Sequence, residues 1–369
     1  VALNAVVRPQ RLAAVAAEVI EQTLTVPGLF QREGFDQFMG AENDTVYIRV
    51  PGILPAHEIS NFRAERNTSI TFDAYSERKI SLTLSGNTYS ATKLQDEQRD
   101  WDDIQWSRVI GIQAQAVARS LNKKAVDQLV GAPYLATIAG SKAGRAIRAS
   151  LIELRRIAHA FRMPMEHRTL VVGTSVEAAI LGDEDMVLAQ NVGDSVAEGV
   201  LREAFIGRIF GMNIVVAPEL AAGAGYLIVP SAFALATAAP AVPQSATGAT
   251  ASASANGSSG VAARWVLDYD PTILAERSVV NLYNGVRAVT DVVEGVDGAG
   301  KPNGAIVDGS GTVGEFFVRG VAFDLDAVAD VLPDADANAD PSGVGGTPAA
   351  GSLLDQFVAA TKIGIPYTP

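Results

Sequence analysis

Gly309, Gly311 and Gly314 are spaced G-x-G-x-x-G. That spacing lets a backbone close on a pyrophosphate where a strand turns into a helix. Here the glycines run into EFFVRG, which is strand-like, so they read as a Gly-rich hairpin turn. Gly223 and Gly225 likewise precede a strand. Asp334, Asp336, Asn338 and Asp340 alternate as calcium ligands do. Ala339 stands where a calcium loop needs glycine, Pro341 follows, and the closing glutamate is absent, so this is a solvated acidic loop. The three histidines, His57, His159 and His167, form no H-x-x-x-H pair and no ligand spacing with carboxylates. Gly173-Thr174-Ser175 opens a helix after a strand and could hold an anion at the helix N-terminus. It lacks the lysine and the glycine spacing of a P-loop, so it reads as an N-cap, and Ser175 has no G-x-S-x-G setting. Asp183, Glu184 and Asp185 could exchange protons as paired carboxylates do, but three adjacent acids after Gly182 read as a loop facing water. There is no cysteine, hence no disulfide and no thiolate metal site. Lysines and asparagines are present, yet nothing marks a pair as reactive. These residues give no catalytic, cofactor-binding or metal site, and no cofactor is expected.

The elements around them are more informative. Residues 96–129 read as one long helix: Ile110, Ala114, Val117, Leu121 and Ala125 keep one face. Its first turns are acidic (Asp96, Glu97, Asp100, Asp102, Asp103) and its last are basic (Arg119, Lys123, Lys124), an order that suits the helix dipole. Gly131 and Pro133 stop it. Such a helix, about 50 Å long, is a spine for an elongated subunit. Residues 1–22 open with a short amphipathic stretch, RPQRLAAVAAEVI, in which Pro9 suits a first helical turn and Leu12, Val15, Val19 and Ile20 share a face; alone it is too short to be stable in water. Phe30, Phe35 and Phe38 anchor an arm over 24–40. Val46, Ile48 and Val50 alternate on a strand, and Ile70, Phe72 and Ala74 alternate against Ile80, Leu82 and Leu84 in a hairpin turning at 75–77. A hairpin with so little core must lie on something else.

Further on, a helix over 144–161 carries Ile147, Leu151, Leu154, Ala158 and Phe161 on one face. Its arginines (Arg145, Arg148, Arg155, Arg156, Arg162) could be read as a nucleic-acid stripe, but in so acidic a chain they read better as a solvated face pairing with acidic neighbours. Strands are expected at 169–172, 213–217, 226–229, 264–269, 279–283, 286–293, 305–307 and 315–318. Loops are expected at 182–199, 218–225 and 332–350, and a short helix at 353–360. Residues 236–262, rich in Ala, Ser, Gly and Thr, read as a flexible loop.

The 369 residues carry 29 Lys and Arg against 41 Asp and Glu, a net charge of −12. That excludes a surface built to clamp nucleic acid. No run is long and apolar enough to span a membrane, and no basic-then-apolar signal segment opens the chain.

The order of these elements resembles the major capsid protein of tailed double-stranded-DNA phages, the fold named after coliphage Hong Kong ninety-seven and shared with encapsulin shells. Individual stretches resemble the coat-protein branch of Salmonella short-tailed phages and its actinobacterial-phage relatives. They are LTVPGLFQREGFDQFMGAENDTVYIRVPG (24–52), the strands over 67–84 before the spine, REAFIGRIFGMNIVVAP (202–218), YLIVPSAFALATAAPAVP (226–243) and RWVLDYDPTILAERSVVNLYNGVRAV (264–289). The resemblance covers about residues 1–294.

What it implies is an α+β chain with an N-terminal arm (1–43), an extended loop overlapping a neighbouring subunit (44–94) and a peripheral domain with the spine helix (95–165). An axial domain (166–235), the flexible loop (236–262), return strands to the peripheral domain (263–294) and an extension of unplaced role (295–369) follow. It implies no enzyme but a homo-oligomer of hexamers and pentamers in an icosahedral head. That head would enclose DNA without sequence-specific binding, would be assembled in host cytoplasm with scaffold, portal and decoration proteins, and would sit in the virion and not in a membrane. An encapsulin-type nanocompartment is the alternative. A ligand-binding or enzymatic α+β protein using residues 173–175 or 309–314 is the third reading.

Overall fold

The computed structural model describes residues 9–33, 45–51, 57, 59, 63, 70, 72, 77–101, 106–140, 146–183, 207–244, 247–253, 261–291 and 316–325. The chain divides into two compact units: Val1–Tyr47, Ser81–Gly131 and Phe233–Ala288 form the first, and Ile48–Ile80, Ala132–Ala232 and Val289–Pro369 the second. These divisions fall at 131, 232 and 288, where the sequence suggested 165, 235 and 294.

The first unit holds helix α1 (Pro9–Thr23), strand β1 (Gln31–Glu33) and, after β2 (Thr45–Val50) and β3 (Arg78–Thr83), whose residues fall on both sides of the division, β4 (Gly86–Gln95). Helices α2 (Asp96–Trp101) and α3 (Trp106–Val130) follow. The expected single spine is therefore described as two helices, with residues 102–105 outside the described set. The 25-residue α3 is about 37 Å long. It runs on to Val130, so Arg119, Lys123 and Lys124 sit short of its last turn, which holds no basic residue; the dipole match expected there is absent. Gly131 donates to the Asp127 carbonyl at 3.0 Å where the helix ends.

The return segments are β10 (Phe233–Ala238), β11 (Thr247–Ala253), β12 (Val261–Asp270) and β13 (Ala275–Ala288). β13 is one strand where two were expected, and it is the hub. β4 pairs antiparallel along one edge, from Gln95↔Ala275 to Gly86↔Asn284. β12 and then β10 pair along the other. β11 extends the sheet beyond β12, and β1 adds a parallel edge beside β10.

Two of these strands correct the sequence reading. β4 was unforeseen because its inward residues, Thr88, Ser90 and Thr92, are polar and break the apolar alternation. β11 lies inside the segment read as a loop over 236–262. It folds because α1 covers it with small residues: Ala13, Ala16 and Ala17 are buried with Ile20 in one core with Ala249, Val261, Ala263 and Trp265. Flat alanine faces let helix and sheet approach closely, so little bulk is needed to exclude water. Val15, expected on that face, is 44% exposed. Phe30 is buried and stacks on Phe233 at 4.7 Å; Phe35 and Phe38 lie outside the described residues.

β3 pairs with β2; apart from Ile70 and Phe72, the strand expected at 68–74 lies outside the described residues. Ile80 and Leu82 are buried as their alternation predicts. Ile70 and Phe72 belong to no strand.

In the second unit, β5 (Thr137–Ala139), α4 (Ala146–Ala160), β6 (Thr169–Val172), α5 (Thr174–Leu181), β7 (Arg208–Ile209), β8 (Met212–Val216), β9 (Ala224–Ile228) and β14 (Gly320–Asp324) build a mixed sheet ordered β5-β14-β9-β6-β8-β7. α4 buries its predicted stripe, Ile147, Leu151, Leu154, Ala158 and Phe161. β14 corrects two expectations. The strand is 320–324, whereas Phe316 and Phe317 make only single bridges to Asp291 and Tyr134. Part of the supposed extension 295–369 is thus an inner strand, parallel to β5 and antiparallel to β9. The strand expected at 305–307, the loop at 332–350, the helix at 353–360 and most of the loop at 182–199 lie outside the described residues.

Candidate functional site

The residues with chemical potential do not converge. Gly309, Gly311, Gly314, Glu184, Asp185 and the acidic series from Asp334 to Asp340 lie outside the described residues. His57 is exposed, His159 is exposed on α4, and His167 is exposed in a left-handed conformation (φ 58°). Among the described residues no group of three or more His, Asp or Glu could hold a metal ion, and no helix is long and apolar enough to cross a membrane. The anion site considered at the start of α5 is filled by the chain itself. Ser175 and Val176 donate their amides to the Ala222 carbonyl at 2.9 and 3.4 Å, and no side chain caps the helix. Gly173 is required there, since a Cβ would sit 2.2 Å from the Ala221 carbonyl oxygen. Asp183 is buried just past α5 rather than facing water. Gly225 lies within β9 rather than ahead of the strand as expected, with the Phe323 ring against it.

Polar chemistry is concentrated instead beneath α3. Gln113 Nε2 donates to the Ser278 carbonyl at 3.1 Å, and Ser278 Oγ donates to Gln113 Oε1 at 2.9 Å. The same hydroxyl accepts from Trp265 Nε1 at 2.9 Å. All three residues are buried, so each bond satisfies a group that would otherwise cost about 1–3 kcal/mol. Asn122 Nδ2 donates to the Thr23 carbonyl, and its Oδ1 accepts from the Thr25 amide, fixing the exit from α1. Trp106 Nε1 donates to Glu276 Oε2 at 2.7 Å.

Lys124 is the group sequence reasoning missed. Its Nζ donates to Thr88 Oγ1 at 2.9 Å and to Asn284 Oδ1 at 3.0 Å. Both acceptors are neutral, and burial alone lowers the ammonium pKa. Asn284 Nδ2 in turn donates to Thr88 Oγ1 at 2.8 Å. The trio is a clamp joining α3, β4 and β13. The signal that could have found it is a polar residue at an inward position of an apolar strand, Ser278 and again Asn284.

The outward residues are of another kind. On the first sheet the face away from α3 carries Tyr89, Ala91, Val279, Val266 and Tyr283, with Asn281 on the same side buried under Arg264, which donates to its Oδ1 at 3.0 Å. Tyr89 is exposed, as is Tyr283. In the second unit Ile70 is 73% and Phe72 91% exposed. Covering one phenylalanine is worth about 1.5–3 kcal/mol, so these side chains are ready to be buried by a second molecule.

Comparison with known proteins gives these surfaces a context. A family model described as "Phage capsid protein" matches residues 81–282, more than half of the chain. No curated protein matches it in sequence. The fold is similar to a structure from Mycobacterium phage Che8, with a TM-score of 0.55 and 16% identity over 81% of this chain and 90% of that one. It is similar to the mature capsid of bacteriophage PhiM1, at 0.53 and 13% over 82% and 87%, and to the capsid of cyanophage P-SCSP1u, at 0.50 and 9% over 80% and 86%. At such identities these likenesses show the fold.

Proposed function

Since the chain belongs to the phage capsid protein family and is a structural subunit of a phage head with the Hong Kong ninety-seven type of α+β fold, we propose that its copies close into hexamers and pentamers of an icosahedral shell around double-stranded DNA. The family match over 81–282 carries this reading. It spans β4, the spine, most of the β10–β13 sheet and, in the second unit, the segments from β5 to β9. A shell needs many copies of a modest interface, because avidity multiplies what one contact gives.

The first unit serves as the peripheral domain and the second contains the axial domain. Residues 44–94 include the extended loop that overlaps a neighbour; the exposed Ile70 and Phe72 support that role. The arm, 1–43, begins with a helix that already packs on its own unit, so its overlap with another copy is left to residues beyond α1. The subunit performs no catalysis and takes no cofactor. Scaffold, portal and decoration proteins are its partners, assembly takes place in host cytoplasm, and the product is the virion capsid. An encapsulin-type compartment shares the fold, but the matched family is a phage capsid family.

Negative-stain electron microscopy with sedimentation velocity tests this. Closed shells, or rings of five and six, are expected. A protein that stays monomeric with its cognate scaffold overturns it. Replacing both Ile70 and Phe72 by aspartate is expected to leave the circular dichroism unchanged and to abolish particles.

A further inference from the structure

Strand β4 leaves one of its edges open. It pairs with β13 on one side and, among the described residues, with no strand on the other. The pairing runs unbroken from Gln95↔Ala275 to Gly86↔Asn284, so no bulge turns the edge aside. The strand, GNTYSATKLQ, holds no proline, and Lys93 is its one charged residue. A straight edge of ten residues with so little guarding it is a template for another strand.

Two residues at the end of the strand fix which backbone groups face that edge. The Asp96 amide continues the ladder, donating to the Leu274 carbonyl at 3.3 Å, whereas the Gln95 amide turns away and donates to Gln98 Oε1 at 3.3 Å. Residues of an antiparallel pair alternate in direction, so Thr88, Ser90, Thr92 and Leu94 bond to β13. Asn87, Tyr89, Ala91, Lys93 and Gln95 aim their backbone groups at the open edge. The same five residues carry exposed side chains, Tyr89 at 68%. They are spaced symmetrically about Ala91.

We propose that β4 pairs antiparallel with β4 of a second copy of this chain, about a two-fold axis through Ala91. That axis pairs every edge-facing residue: Ala91 meets Ala91 of the partner subunit, Tyr89 meets Lys93 of the partner subunit, and Asn87 meets Gln95 of the partner subunit. A lysine stem and its ammonium lie well over a tyrosine ring, and no like charges are opposed. Shifting the axis to Lys93 would set two ammonium groups against each other. Shifting it to Tyr89 would leave Lys93 and Gln95 beyond the end of the partner strand. A second copy is the occupant because this edge is complementary to itself, as an isologous contact requires. The pairing rests on the reading that copies of this subunit meet in a shell.

Cysteine cross-linking of the full chain under assembly conditions tests this, since the chain has no cysteine of its own. Opposed residues of a bonded antiparallel pair have Cα atoms ~5.5 Å apart, within disulfide reach. Ala91→Cys should therefore give a disulfide dimer on mild oxidation. Tyr89→Cys and Lys93→Cys, each alone, should give roughly tenfold less, because each thiol lies about 14 Å along the strand from its own mate. A mixture of those two variants should cross-link. Ala91→Pro removes an edge-facing amide and spares the ladder with β13, so it should keep the circular dichroism and weaken self-association about tenfold or more. Tyr89→Lys, which leaves the backbone alone, should weaken it by opposing Lys93 of the partner subunit, and adding Lys93→Glu should restore it. Shells or rings without an Ala91→Cys dimer overturn the pairing and leave the shell reading standing. The dimer without shells does the reverse, and neither product overturns both. Equal cross-linking by all three single variants overturns the pairing as random collision. Particles lost in Ala91→Pro with no Ala91→Cys dimer also overturn it, because a different strand then fills the edge.

Discussion

Along β13, Ser278 and Asn284 meet α3 through hydrogen bonds, while in the second sheet every residue of β6 is buried and β14, on the other side of β9, leaves only Asp324 partly exposed. The first sheet has one covered face and one open one. Its register is read by polar groups that fit only one alignment: Gln113 over Ser278, Lys124 over Thr88 and Asn284. The second sheet is read by shape. Tyr134 lies 5.2 Å from Tyr226 and 5.3 Å from Phe317, edge-on to the latter, and Gly320 is small enough to pass beside both Tyr134 and Phe317. Burial pushes the Tyr134 hydroxyl pKa well up, as expected for a phenol held among aromatic rings. A shape-read sheet depends on every strand being present, whereas a sheet clamped by separate polar contacts should lose stability in increments.

The sharpest break of that comparison is removal of β14. A chain ending at residue 315 loses an inner strand and with it Phe316, Phe317, Val321 and Phe323, all buried. Single large-to-small changes at such positions cost about 3–5 kcal/mol each, so loss of the second sheet is expected. Near-UV circular dichroism and limited proteolysis should show that unit unfolded; a truncated chain with native spectra would mean that β14 is dispensable.

Glycine substitutions come next, since they ask the same question of both units. A Cβ on Gly285 would lie 2.2 Å from the Thr83 carbonyl oxygen, and one on Gly320 would lie 2.6 Å from the Phe317 ring. Gly285→Ala pushes on backbone and Gly320→Ala on a ring packed among rings, so each should destabilise by about 2–3 kcal/mol in urea unfolding, with Gly285→Ala the worse. Equal stability of either variant with the parent would deny the close approach at that site.

Reading the sequence alone recovers what apolar periodicity encodes. α4 is legible because Ile147, Leu151, Leu154 and Ala158 keep helical spacing, and β3 because Ile80 and Leu82 alternate. β4 and β11 are illegible for a shared reason with two forms. Over β4 the covering helix offers Gln113 and Lys124, so the strand answers with Thr and Ser. Over β11 it offers alanines, so the strand needs little bulk. β14 is hidden because its five residues lie among Gly- and Asp-rich sequence and because β5, one of its partners, is only three residues long. The Lys124 clamp joins residues 36 and 160 positions away, beyond any local pattern. The exposed Ile70 and Phe72 were visible as alternating apolar residues, but alternation does not say whether they face the chain's own core or another molecule.

Ser278→Ala tests the polar reading of the first sheet at moderate cost. It removes the acceptor for Trp265 Nε1 and one of the contacts of Gln113 in a buried setting, and should cost about 1–3 kcal/mol. Adding Gln113→Leu should cost less than the sum of the two single changes, because the second change removes a group the first left unsatisfied. Strict additivity in chemical denaturation would show that the bonds do not act together.

Lys124 gives the smallest effect and the one with a sign set by pH. Its pKa is lower in the folded chain than the usual 10.5, because burial disfavours the ammonium. Between the folded and unfolded values the unfolded chain binds more protons, so stability rises with pH through that window. The penalty from Lys124 is present in full below its folded pKa and disappears as pH passes the unfolded value. Lys124→Met removes the penalty together with two hydrogen bonds, while Asn284 and Thr88 keep the bond they already share. Near neutral pH these changes should offset to within about 1 kcal/mol. The alkaline rise in stability should then be smaller in Lys124→Met than in the parent, measured as the difference between their urea midpoints across that window. An unchanged slope would mean that the ammonium keeps its water, and the clamp would then be a surface contact rather than part of what sets the register of β13.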